Sequence, residues 1–158
     1  MPRGIVLEFP DCSQVVTARL LEEEAPRSCD ILWRLLERPL EEQLGHAWPT
    51  LPELWFYIPP VPELPFENAS VFPKAGEVVI YHYDQHHGSN YRTPEGRDLV
   101  FDLGIYYANG YSELAACGWM SANRVARLED VRALAPVIVR AFRHGKQRVI
   151  ARRAEDAR

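Results

Sequence analysis

Several signatures are missing from this sequence, and each absence removes a class of function. No apolar run reaches the roughly 18 residues that a membrane-crossing helix needs, so no membrane partner is expected. The opening segment MPRGIVLEF turns from apolar to acidic too soon for a secretory signal, which makes the cytoplasm the expected compartment. There is no GxSxG, no P-loop and no GxGxxG, so serine-hydrolase elbows and nucleotide cradles have no support. Cysteine is scarce. Cys12, Cys29 and Cys117 are widely spaced, form no CxxC pair and are odd in number, which argues for reduced thiols and against a disulfide framework. Neither sign of charge dominates, and the formal net charge is −4. The one basic cluster, Arg148, Arg152, Arg153 and Arg158, is interrupted by Glu155 and Asp156. It reads as a solvated strand end, not as a nucleic-acid footprint.

What is present is a globular chain. Its 158 residues can bury a real core, and a single domain is expected over residues 1–153 with a tail at 154–158. Hydrophobic residues make up 47% and charged residues 25%, which excludes a disordered class. The chain is organised around residues 76–107. Val78, Ile80 and His82 alternate with Val79, Tyr81 and Tyr83, and Leu99, Phe101, Leu103 and Ile105 alternate with Val100, Asp102, Gly104 and Tyr106. Period two on both arms predicts two strands. Their join, residues 84–98, is too long for a tight turn and carries His86, His87, Tyr91, Arg92 and Arg97. Long loops inside compact domains are usually functional or mobile.

Around this pair, residues 5–9 and 15–21 predict an opening hairpin, with a turn at Pro10-Asp11-Cys12-Ser13. A helix starts at Pro26 behind three glutamates, where negative charge suits the helix dipole and proline loses no hydrogen bond. Cys29, Leu32, Trp33 and Leu36 are expected to face a core, and Pro39 ends the helix. Residues 41–45 read as a polar connector. Residues 54–58 form a short apolar strand, and residues 61–72 an ordered, proline-bearing surface loop. Asn109-Gly110 is a turn, and residues 117–128 are one strand or two. A second helix spans 129–144, with Val131, Leu134, Ala135, Ile138, Val139 and Phe142 as its inner stripe and Gly145 as its cap. Pro136 kinks or divides it. Residues 147–152 are a final strand. Many strands with one early and one late helix predict a mainly β fold, a closed antiparallel barrel with helices at its ends.

The chain resembles a family. Its opening strand–turn–strand followed by LLEEEAPRSCDILWRLL is similar to the start of cyclophilin-type domains. The remainder resembles the bacterial cyclophilin-like family of unknown function called DUF3830. The matching stretches are residues 25–33 (APRSCDILW), His46-Ala47-Trp48 with Glu53, Glu67-Asn68, residues 75–79, Ile105-Tyr106-Tyr107, and residues 122–127. The FHR-type segment and the glutamine- and tryptophan-bearing site of prolyl isomerases have no counterpart, so the resemblance implies the barrel and not that activity. The 84–98 loop is longer than the family pattern implies. The fold also resembles domains of 5-oxoprolinase and allophanate-hydrolase-like subunits, which by analogy implies chemistry or binding at a small amide, lactam or lactone.

The resemblance implies His46, Glu53 and Glu67 as catalytic candidates. A histidine titrates near neutrality and serves as a general base, and glutamate orients it or activates water. The structural alternatives are a histidine bonded to a backbone carbonyl and surface or turn glutamates. Trp55, Asn68, Tyr81, Tyr107 and Asn123 are the substrate-binding candidates. An asparagine amide or a phenol can donate to a developing oxyanion, and inward tyrosines can line a pocket. Core packing and turn chemistry are the alternatives. Arg92 and Arg97 suit a substrate carboxylate or simply solubilise the loop. Cys29 and Cys117 are candidate nucleophiles; Cys29 sits on an apolar helical stripe, which favours a core residue, and Cys117 precedes Gly118-Trp119-Met120, which the resemblance places at the barrel mouth. His82, His86 and His87, with Asp84 nearby, lack the carboxylate or thiol set that completes a metal site, so no metal and no cofactor are expected.

The expectation is a small-molecule pocket that hydrolyses a cyclic amide or lactone. The alternatives are a non-catalytic module for a small ligand or protein and, last, a prolyl isomerase. An exposed strand edge and the apolar 54–58 segment suggest a homo-oligomer.

Overall fold

The computed structural model describes residues 3–47, 51–61, 64–83, 100–110, 113–114, 118–119 and 121–154. Strands β1 (Gly4–Phe9) and β2 (Gln14–Leu20) form the expected hairpin. A 3-10 turn at Pro10–Cys12 joins them, and the Ser13 N–H donates to the Pro10 carbonyl at 3.2 Å. Helix α1 (Pro26–Leu35) follows, then β3 (Leu40–His46) and β4 (Glu53–Ile58). Next come a two-residue strand β5 (Ala69–Ser70), the long pair β6 (Glu77–Tyr83) and β7 (Val100–Tyr106), and a minor pair β8 (Glu113–Leu114) and β9 (Gly118–Trp119). The chain ends with β10 (Ala122–Leu128), helix α2 (Ala135–His144) and β11 (Gln147–Arg153).

The sheet order is β2-β1-β11-β3-β4-β7-β6-β10, and β10 pairs back onto β2, which closes an antiparallel barrel of eight strands with β5 attached to β10. Closure leaves these eight strands with ladder partners on both sides. Alternation sends Ile5, Leu7, Phe9, Leu44, Leu54, Phe56, Val78, Ile80, Leu103 and Ile105 into one interior core. The opposite side of β4, β7 and β6 is not simply solvated: Val79, Tyr81, Tyr106 and Ala122 form a second buried cluster there.

The helices close opposite ends. α1 leaves the end of β2, and Arg153 at the end of β11 donates to the Trp33 carbonyl through Nε (2.9 Å) and Nη2 (2.6 Å). The Trp33 ring lies under the guanidinium groups of Arg3 and Arg153, with 5.4 and 4.6 Å between each and the ring centroid. It is half-buried, whereas Cys29, Ile31, Leu32 and Leu36 are buried as an inner stripe should be. α2 leads into the start of β11, at the end where β3 and β7 finish. Gly145 takes φ 75° and its N–H caps the Ala141 carbonyl at 2.9 Å, as expected.

Two expectations are corrected. Residues 41–45 are not a connector but the body of β3, because β11 pairs with Leu40 through Leu44. Glu41 faces outward and meets Arg148 at 3.6 Å. The inner stripe of the second helix is also rotated. Pro136 divides the segment, as anticipated, into a 3-10 turn (Val131–Leu134) and α2. Tighter winding before the proline shifts the phase. Leu134, Val137 and Ala141 are buried, while Val139 and Phe142 are 48% and 54% exposed. Among the described residues no helix is long and apolar enough to cross a membrane.

Candidate functional site

In an antiparallel pair, residues directly opposite each other share a face. The register therefore sorts the sequence-predicted residues without further assumption. His46 opposes Leu54, and Leu54 opposes Ile105 in the core. Glu53 opposes Tyr106, Trp55 opposes Gly104, and Tyr57 and Tyr81 flank Asp102 on either side. His46 and Glu53, close in sequence, thus stand on opposite faces of one sheet. The predicted residues divide into three places.

At the α2 end, His46 Nε2 lies 2.7 Å from the Tyr107 hydroxyl, and its ring packs 4.7 Å from Phe142 of α2. Burial holds the His46 pKa below its ordinary value and raises that of Tyr107. The pair is a neutral imidazole against a neutral phenol.

At the α1 end, Glu67 acts on the helix. Its Oε2 accepts from the Ser28 N–H (2.9 Å) and hydroxyl (3.0 Å), and its Oε1 from the Arg27 N–H (3.3 Å). These are orphan donors of the first turn. The bonds from Ser28 and Arg27 hold the Glu67 pKa below its usual range, although burial opposes them. Asn123 is buried and donates to Ser28 Oγ (2.9 Å) and the Pro65 carbonyl (2.8 Å), while its Oδ1 accepts from the Asn68 N–H. Asn68 in turn accepts from Arg124. The three residues bind the 64–68 segment to α1 and β10.

The outer face of β4, β7 and β6 carries the unusual chemistry. Glu53 and Asp102 are 4% and 6% exposed, beside the buried Tyr81 and Tyr106, whose hydroxyls meet at 2.7 Å. Trp55 lies at the half-exposed edge, with Tyr57 5.1 Å away in an edge-on contact. Burial lifts the Glu53 pKa well above its usual range, the Asp102 charge adds to the rise, and Tyr106 as a donor partly offsets it. Burial and the neighbouring Asp102 carboxyl therefore favour the protonated form of Glu53. The Tyr106 phenol is raised too, by burial first and then by Glu53 and Tyr81. A neutral acid next to a second carboxyl group can offer a proton and a base at one place.

Of the other candidates, Trp48, Asp84, His86, His87, Tyr91, Arg92, Arg97, Tyr111 and Cys117, together with the side chains of His82 and Tyr83, lie outside the described residues. Cys29 is a core thiol whose Sγ lies 3.3 Å from the Val125 carbonyl, and burial pushes its pKa up to about 11. Among the described residues no group of three or more histidine, cysteine or acidic side chains could hold a metal.

A family model described as "Protein of unknown function (DUF3830)" matches residues 8–149. The chain belongs to the DUF3830 family. No curated protein matches it by sequence. Among solved structures, the DUF3830 chain is similar to McbB in complex with tryptophan, at 22% identity and a TM-score of 0.56. The likeness covers 95% of this chain and 44% of McbB, so the DUF3830 chain spans less than half of that protein's length. What the two share is the fold.

Sequence reasoning about this DUF3830 chain missed Asp102 and Tyr106 as site residues. Both stood in view as the outward members of the β7 alternation. The signal that could have found them was the aspartate itself, in a strand whose other residues are apolar or aromatic. An acid there is either solvated or held for a purpose, and only the packing distinguishes the two.

Proposed function

We propose that this barrel binds a small molecule at the outer face of β4, β7 and β6 and acts on it by acid–base chemistry, as a hydrolase of small cyclic amides or lactones. One observation carries the reading: the Glu53 carboxyl is buried beside Asp102 and the Tyr81–Tyr106 hydroxyl pair, where burial raises its pKa. In the reaction, Asp102 takes a proton from water as it attacks the ring carbonyl. The Tyr81–Tyr106 pair donates to the oxyanion that forms. Glu53 gives its proton to the ring nitrogen or oxygen as the bond from that atom to the carbonyl carbon breaks, and the proton held on Asp102 then returns to Glu53. Trp55, half-exposed at the rim, offers a flat surface to a planar ring. McbB, which is similar in fold over 44% of its length, has a solved structure in complex with tryptophan, and this supports a small aromatic or heterocyclic ligand class here. The burial of the whole cluster also supports a second reading, a module that holds such a ligand without turnover.

The test is a thermal-shift screen of lactams, lactones, cyclic imides, carboxylic acids and tryptophan against the wild type and Glu53→Gln. A compound that stabilises the wild type and not the variant supports the site. Ring opening of that compound supports the hydrolase, and binding without ring opening supports the module. Equal stabilisation of both proteins by every hit would remove Glu53 from the site.

A further inference from the structure

On the outward row that crosses the sheet, Gly45 of β3 opposes Trp55 of β4, Trp55 opposes Gly104 of β7, and Gly104 opposes Val79 of β6. Two glycines thus flank one tryptophan. A glycine within a strand gives up packing and costs backbone entropy, so it marks a close approach. What approaches differs on the two sides. A Cβ on Gly45 would come within 3.0–3.3 Å of the Trp55 indole, so the ring lies over β3. A Cβ on Gly104 would stand 2.0 Å from Glu53 Oε1 and 3.1 Å from its carboxyl carbon. The carboxyl group therefore occupies the space in which any other residue at 104 would carry its side chain. Glu53 and Trp55 extend from the same strand and lean to opposite sides, each over a glycine.

We propose that Gly104 is the positioning residue of the outer-face site, and that its missing side chain is the seat which holds the Glu53 carboxyl flat on β7 between Asp102 and Tyr106. Those two residues lie on either side of Gly104 along the outward face of the same strand. The seat fixes the acid laterally between a carboxyl neighbour and a phenol, and fixes it against the sheet, where water is excluded. Gly45 does the same for the Trp55 ring, so the acid and the flat surface are preset over the two strands that flank β4. The inference rests on the function proposed above for Glu53.

Gly104→Ala tests it, because the atom displaced first is the far end of a flexible side chain, and the strand itself can stay in place. The readout is the infrared C=O stretch of protonated carboxyl groups, followed as a function of pH. Comparison with Glu53→Gln assigns the Glu53 band. The expected result is a Glu53 band that persists at neutral pH in the wild type, and a titration midpoint that moves by about one pH unit or more in Gly104→Ala. An unchanged midpoint in Gly104→Ala would overturn the seat while leaving the acid in place. A wild type without a Glu53 band at neutral pH would overturn the proposed function, and the seat with it. Should Gly104→Ala fold too poorly for spectroscopy, thermal unfolding in a Glu53→Ala background replaces it. Removal of the clashing carboxyl should then restore tolerance of alanine at 104. If the destabilisation is the same in both backgrounds, the methyl group is clashing with Val79 instead, and the proposal falls.

Discussion

Oε2 of Glu67 accepts two hydrogen bonds from Ser28, one from its backbone N–H and one from its hydroxyl. α1 has no capping side chain of its own, since Ala25 stands at the N-cap, and a carboxylate from a distant loop fills that place. Glu67→Ala should lower stability by ~1 kcal/mol, the usual worth of a lost N-cap. The Glu67 pKa is held below its unfolded value of 4.5, so its contribution is present above that pH and is lost as pH falls through the lowered folded value. Urea unfolding of wild type and variant at acidic and neutral pH checks this. A gap that persisted at acidic pH would show that the charge is not what matters.

Two groups give stability–pH slopes of opposite sign. Glu53 keeps its proton in the folded state at pH values where the unfolded chain has lost it. Stability therefore falls as pH rises from about 4.5, its ordinary value, through the higher folded pKa. His46 is the reverse. Burial lowers its pKa, the unfolded chain binds the extra proton below 6.5, and stability rises with pH through that window. Chemical denaturation across this range should show Glu53→Gln losing the downward component and His46→Ala losing the upward one.

Binding should separate the two faces in the same way. His46 lies toward the core side of the sheet and Glu53 on the other, so any compound seated against Glu53 should be retained by His46→Ala. With turnover as readout, Glu53→Gln should reduce kcat/KM by about 10²-fold or more, the range for a lost general acid, and His46→Ala by far less. A His46→Ala variant that failed to bind would instead put the site at the α2 end, with Tyr107.

Cys29 should behave as core. Its buried thiol, with a pKa near 11, presents almost no thiolate at neutral pH. Iodoacetamide labelling read by peptide mass spectrometry should leave Cys29 unmodified in the folded protein and modify it on unfolding in urea. Labelling of native Cys29 at the unfolded rate would mean that this side of α1 opens readily.

The strands were legible because period-two alternation is local. Residues 78–83 and 99–106 announce which side chain faces which way before any partner is known. The same holds for Pro26 at the start of α1 and Gly145 at the end of α2, where backbone geometry alone decides. The barrel could be expected from these elements, and the family from short stretches spread over most of the chain.

Strand order belonged to the tertiary structure. β11 enters between β1 and β3, and its pairing with residues 40–44, together with that of Gly45 to Trp55 of β4, turns the polar residues 41–45 into a strand. The phase of α2 was likewise set by the 3-10 turn before Pro136, not by the count of residues through it. The site was the least local feature of all. Proximity in sequence joined His46 to Glu53, and the pleat separated them. Glu53 meets Asp102 and Tyr106 because β4 lies against β7, and the resulting buried acid owes its raised pKa to the water that this packing removes. Alternation along one strand is written in the residues themselves, whereas which strand lies beside it, and what that contact desolvates, is decided by closure of the barrel.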